Sequence, residues 1–492
     1  MSDVNSESQR NTEGTPLGFH SLREEARTEL PVEGTLPEWL DGALIRNGPG
    51  AFGLDDAEVD HWFDGLAMLY RFGFGGDSNT ITYRNRFLRT DAYTRALTGQ
   101  PEGGFATGES TLRERIVGAL IRDPYDNTNV ITERIGDRYL AFTETPRWVE
   151  FDPDTLSTER HVQYEKSGPS GQIACAHMKR DPATGTLINL ETEFGRPSQY
   201  HVYELLAPTE RRSIASVPVE RPSYLHSFAL TPNYVVITEF PFDVNPLSFF
   251  KPGRQGPFID NFQWRPDEGT RFLVIDRDSG DVVAEPVSDP CFGFHHVNAF
   301  ERTVEGATEL VLDLETVPNP DGIGSLALSE LRSGELGEQA GTLTRFSITD
   351  PRGQTSIDRI ELFDGGTSLP TVSAAQWLDQ HRYVYAQGTD QPMTEWPRRV
   401  LKIDVEDGSH QEFTRPGTQF GEPLFVPRSD EESVDGDSAT DDGVVLTVGL
   451  NHDDARSRLY VLDGQTMREQ AVATLPHAVP FDFHGRYFPE LA

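Results

Sequence analysis

Short runs of alternating apolar and polar residues, rich in Val, Ile, Tyr, Phe and Thr, recur along most of the chain with turn residues between them. Examples are NTITYRNRFL, RYLAFTET, RFLVIDRDSGDVVAE, ATELVLDLE, TLTRFSI, HRYVYAQ, RRVLKIDVEDGSHQEF, GVVLTVGL and SRLYVLDGQTMREQAVATL. A period of two sends successive side chains to opposite faces of a sheet, so these runs predict strands with one buried face. IDRDSGDVVAE and IDVEDGSHQEF place Ser-Gly or Asp-Gly pairs between two such runs, the signal of a tight hairpin. Helical periodicity is nearly absent, and STLRERIVGALIRD at 110–123 is the best helix candidate. Many hairpin strands without helical crossovers predict an all-β fold: a propeller, a barrel or a large sandwich.

Length changes this picture little. The chain has 492 residues, yet no Gly/Ser-rich linker or composition shift follows residue 40, so 31–492 is expected to be one large domain. Residues 1–30 are polar, lack the basic start and apolar stretch of a signal peptide, and are expected to form a mobile arm. No run of 18 apolar residues occurs, which excludes a membrane-spanning helix. The two cysteines, Cys175 and Cys291, lie in apolar runs and suit a reduced, cytoplasmic protein. Each shares strand parity with a nearby histidine and could be a soft metal ligand or a small core residue.

Charge adds more. Asp and Glu number 79 against 43 Lys and Arg, a net −36, and only Lys166, Lys179, Lys251 and Lys402 are lysines. Such self-repulsion is relieved at molar salt, where the screening length falls to about 3 Å, so the composition predicts a halophilic protein. An acidic surface also excludes nucleic-acid binding, which rests on Lys and Arg neutralising phosphates. The stretch RSDEESVDGDSATDDG at 428–443 reads as an acidic, solvated insertion. Residues 240–264 combine Phe240, Phe242, Leu247, Phe249, Phe250, Phe258, Phe262 and Trp264 with Lys251 and Arg254. That mixture fits either peripheral contact with a membrane face or a loop folded onto the body of the protein.

Four histidines, His177, His226, His295 and His484, lie in the apolar runs GQIACAHMKRDP, SYLHSFALTPNY, PCFGFHHVNAFE and LPHAVPFDFHGRY. An unpaired buried imidazole costs about 1–3 kcal/mol, so each ring needs a hydrogen bond or a metal. Their intervals match no compact metal motif, and spacing alone leaves open four separate core histidines or one shared metal site.

The motifs together resemble the carotenoid cleavage oxygenase family over nearly the whole chain. LIRNGPG followed by HWFDGLAMLYRF resembles its N-terminal signature; AHMKRDPATG, LHSFALTPNYVV, FHHVNAFE and LPHAVPFDFHG resemble its histidine runs, in family order. The resemblance implies a seven-bladed β-propeller with Fe(2+) on its axis, held by His177, His226, His295 and His484. It implies that Glu144 and Glu422 orient two ligands, and that Ser368 stands where the family has a third Glu, beside His295. Thr128, Trp148, Phe228, Phe294 and Phe483 become candidates for the oxygen and substrate pocket. The implied reaction inserts both atoms of O2 across a C=C bond of a lipophilic polyene, a carotenoid or apocarotenoid, releasing two carbonyl fragments. Alternatives within the resemblance are cleavage of a stilbene-type phenylpropanoid, isomerohydrolysis of a retinyl ester, or a propeller that binds carotenoids without turnover.

Overall fold

The alternating runs form strands. The computed structural model describes residues 17–55, 57–75, 79–101, 103–107, 125–162, 170–250, 257–334, 336–337, 339–428 and 441–491. Among these residues lie six antiparallel sheets, of ten, seven, five, five, four and two strands. Two short α-helices, Asp91–Ala96 and Leu328–Ser333, accompany them, so the fold is nearly all-β. The helix candidate at 110–123, most of the acidic insertion (429–440), and Lys251 and Arg254 fall outside the described residues.

The ten-stranded sheet joins the two ends of the chain. Gly42–Ala51 pairs with Leu66–Phe74 on one side and with His484–Phe488 on the other, while Arg27–Gly34 pairs with Glu469–Thr474. Its apolar faces, including Leu44, Phe72, Tyr83, Leu446 and Val461, pack into one buried cluster drawn from both termini. A second cluster, with Val236, Phe272, Leu312 and Phe346, joins a five-stranded sheet to the seven-stranded one. Burying side chains of these types contributes about 1.5–3 kcal/mol each, and here most of it comes from contacts remote in sequence.

The N-terminal segment is better packed than its composition suggests. Phe19 is fully buried, its ring centroid 4.9 Å from that of Trp396 and 5.3 Å from that of Phe481. The Phe481 N–H donates to the Gly18 carbonyl at 2.9 Å, and Leu30 is buried on the strand Arg27–Gly34. Residues 17–30, expected to be part of a mobile arm, therefore belong to the domain. One aromatic anchor and one strand outweigh a polar average; residues 1–16 fall outside the described residues. Both cysteines are buried, with the Cys175 thiol donating to the Leu225 carbonyl at 3.4 Å and Cys291 packed in the Phe272 cluster.

Candidate metal centre

Each of the four histidines sits at the start of a strand on the edge of a different sheet. His177 lies in a break between Ile173–Ala174 and Lys179–Arg180, both of which pair with Leu187–Glu193. His226 precedes Ala229–Leu230, His295 precedes His296–Val304, and His484 opens His484–Phe488. Three of the four thus lie outside regular strand, not within it as expected, where the backbone is free to turn the ring away from the ladder. His296, next in sequence, points elsewhere: its ring bonds the Ser227 and Thr238 hydroxyls at 2.6 and 2.8 Å.

The structure gathers the four. Ring centroids of His177 lie 4.7, 5.2 and 4.3 Å from those of His226, His295 and His484. One ligand atom from each falls within 4.8 Å of all the others. His226 Nδ1 meets Glu144 Oε1 at 2.6 Å, His484 Nδ1 meets Glu422 Oε1 at 2.7 Å, and His295 Nδ1 meets Glu315 Oε2 at 3.0 Å. A carboxylate accepting from Nδ1–H fixes the tautomer that leaves the Nε2 lone pair free. Glu144 is held in turn by the Tyr224 hydroxyl at 2.5 Å, and Glu422 accepts from the Gly485 N–H at 2.8 Å.

Electrostatics favour neutral rings. Burial pushes His177 and His484 well below the usual imidazole range, helped by the neighbouring histidines and by Lys179. Burial likewise brings His295 down to about 4, against the opposing pull of Glu315. Burial raises Glu422 to about 7, while Arg46 and the Gly485 N–H hold it lower. His177 Nε2 is buried and has no hydrogen-bond partner. A cation bound by all four rings would meet that unpaired atom, so the donor set fits a metal ion.

The carboxylate beside His295 corrects the expectation for Ser368. Glu315, at the end of Ala307–Thr316, does that work, while Ser368 borders the adjoining cavity. The sequence contained the signal. Val304 pairs with Ala307 across Glu305-Gly306, whose φ values of 51° and 88° suit a two-residue hairpin turn. Counting back along that ladder, with a bulge between His296 and Asn298, sets His295 beside Glu315, and the Glu315 N–H donates to the His295 carbonyl at 3.0 Å.

The cavity, of about 240 Å³, opens from His226, His295 and His484 and is walled largely by aromatic and aliphatic side chains. Phe294 and Phe483 line it. Trp148 does not; it is buried against Phe142 with ring centroids 4.6 Å apart. Thr128 is fully buried outside the lining, its carbonyl accepting from Asn47 Nδ2 at 2.8 Å, and Phe228 borders a different cavity. Sequence reading missed Phe63, Phe105, Ile323 and Trp396, which complete the wall. Phe105 is pinned by Asp64, whose carboxylate accepts the N–H groups of Gly104, Phe105 and Ala106 at 2.8–2.9 Å.

Comparison with known proteins agrees with this geometry. The family described as retinal pigment epithelial membrane protein matches residues 19–489. Carotenoid cleavage dioxygenase 8 homolog A of Oryza sativa subsp. japonica is 30% identical over 95% of this chain and 87% of its own length. The mitochondrial carotenoid-cleaving dioxygenase of Macaca fascicularis is 28% identical over 93% and 91%. Among solved structures, a point variant of Synechocystis apocarotenoid oxygenase superposes with a TM-score of 0.82 at 25% identity, covering 96% of this chain and 98% of that one. Its cobalt-substituted form gives 0.80 at the same identity and coverage. The match runs from the buried Phe19 through the last histidine strand, and the chain belongs to the retinal pigment epithelial membrane protein family, the carotenoid cleavage oxygenases.

Proposed function

We propose that this protein is a carotenoid cleavage dioxygenase that holds Fe(2+) on His177, His226, His295 and His484 and cleaves one C=C bond of a carotenoid or apocarotenoid. The observation that carries the reading is four imidazoles converging at the end of an apolar cavity. Four uncharged ligands leave a ferrous ion its full charge, and the ion would supply a place for O2 beside the polyene. The chain's own residues do the rest. Glu144, Glu315 and Glu422 fix the rings, and Phe63, Phe105, Phe294 and Phe483 exclude water and hold the polyene. Both oxygen atoms end on the two carbons of the broken bond, so the overall reaction needs no net proton donor or acceptor.

The described lining contains no lysine or arginine, which favours a polyene over a phenolic stilbene. A seven-bladed propeller is supported by the way Ser356–Thr371 pairs with Gly341–Thr349 mainly through its first half and with Tyr383–Thr389 through its second, as one long strand shared by two blades would. Peripheral membrane contact through 240–264 has narrower support: Phe240, Phe242 and Phe262 are buried and Phe249 stacks on Phe258, while Leu247, 44% exposed, is among the described residues the large apolar side chain offered to a bilayer.

The deciding experiment is oxygen uptake by anaerobically iron-loaded protein with carotenoid, apocarotenoid and stilbene panels under 18O2. Label in both carbonyl products of a carotenoid or apocarotenoid is expected. No uptake with any polyene would overturn the assignment.

A further inference from the structure

The four histidines stand between two cavities. The second, about 350 Å³, is bordered by His177, His295 and His484 and also by Lys179, Arg180 and Arg486. That volume holds about twelve waters at roughly 30 Å³ each. In a chain with a net charge of −36, its border carries three cations against two acids.

Lys179 Nζ donates to the His296 carbonyl at 2.9 Å, and no carboxylate among the described residues pairs with it. Arg486 uses Nε on Glu133 Oε1 at 2.7 Å and lays its guanidinium 5.1 Å over the Trp377 ring, which also borders the cavity. Glu133 spends its other oxygen on Arg180 at 3.0 Å. Arg180 and Arg486 therefore share one carboxylate while Lys179 has none, and Lys179 and Arg486 lie close enough to repel each other. Two further acids border the space. Glu422 already accepts from His484 and the Gly485 N–H, and Asp41 is exposed.

We propose that this cavity binds a small monovalent inorganic anion, chloride in type, between the Lys179 ammonium and the outer nitrogens of Arg486. The ion would complete the donors that carbonyl and carboxylate leave unused, and the remaining volume would keep part of its hydration. Its charge would also offset the cations that face the metal-binding histidines, so occupancy and metal affinity should rise together.

Iodide tests this directly, because it quenches a nearby indole. Titrating the iron-loaded protein with iodide against glutamate at constant ionic strength should show a saturable quenching phase above the collisional background, displaced by chloride. Trp377→Phe should remove that phase. Lys179→Met and Arg486→Gln should each weaken it at least about tenfold, the scale of one lost charge-assisted hydrogen bond. Purely collisional quenching, or a saturable phase unchanged in both charge variants, would overturn the site. Should either variant fail to fold, crystals of the unaltered protein grown in bromide give the second reading: an anomalous peak between Lys179 and Arg486 supports the site, and its absence there refutes it.

Discussion

Glu315 reaches His295 because two local features make room for it. The hairpin turn sets the register, and Gly341 on the neighbouring strand leaves the space its side chain occupies; a Cβ there would lie 2.4 Å from Glu315 Cγ. Removing a carboxylate that orients a metal-bound imidazole typically costs about 10–100-fold in metal affinity or activity. Glu315→Ala should weaken iron binding by that factor in competition with a chromophoric chelator, whereas Ser368→Ala should leave it unchanged. The reverse ranking would return the supporting role to residue 368. The same rings set a pH limit. In the unfolded chain His295 takes a proton below about 6.5, its ordinary value, but in the fold only near 4. The unfolded state thus binds more protons between these values, and stability falls as pH drops from about 6.5 to 4. Denaturant titrations of the metal-free protein at pH 7 and pH 5 should show the loss, and His295→Asn should flatten the slope.

Strand content was legible in the sequence because a period of two is a local signal, whereas the four histidines were joined only through the family resemblance, since their intervals fit no compact motif. What was lost needed the third dimension. Trp148 and Thr128 sit close in sequence to Glu144 and Asn129, which border the cavity, yet are themselves buried in the interior, and the irregular backbone around residues 128 and 144 has no periodicity to mark the difference. Phe63 and Phe105 lie on connections without periodicity, so nothing in the pattern marked them as cavity wall. The N-terminal segment shows the same limit: average polarity hid Phe19, which meets Trp62, Trp396 and Phe481 edge-on. Phe19→Ala should therefore destabilise the fold by about 3–5 kcal/mol, the usual range for a buried Phe, measured by equilibrium unfolding. A change below about 1 kcal/mol, the scale of an ordinary surface substitution, would place the segment outside the cooperative unit. For 240–264, Leu247→Asp should reduce sedimentation with anionic and neutral liposomes while leaving cleavage of a short apocarotenoid intact. Unchanged sedimentation would confine the segment to walling the cavity.

At the scale of the whole molecule the net charge of −36 dominates. Two effects of salt oppose each other. Ion pairs such as Arg271 with Glu285 and Arg221 with Glu268 weaken as salt rises, but an exposed pair is worth only about 0–1 kcal/mol. Repulsion acts among all the unpaired acids, and 79 acidic residues against 43 basic ones leave many of them. At 0.1 M salt the screening length is about 10 Å, long enough for neighbouring carboxylates on one sheet face to repel; at 1 M it is about 3 Å, shorter than their spacing. Relief of repulsion should outweigh the lost pairs. We therefore expect the melting temperature to rise steadily between 0.1 and 2 M KCl, with the gain sharing the steepness of the fall in screening length. Matched runs in NaCl and KCl separate screening from ion-specific binding, since screening predicts the same curve in both. A melting temperature that stays flat or falls over that range would mean that the acids are locally neutralised and that the composition is no adaptation to salt.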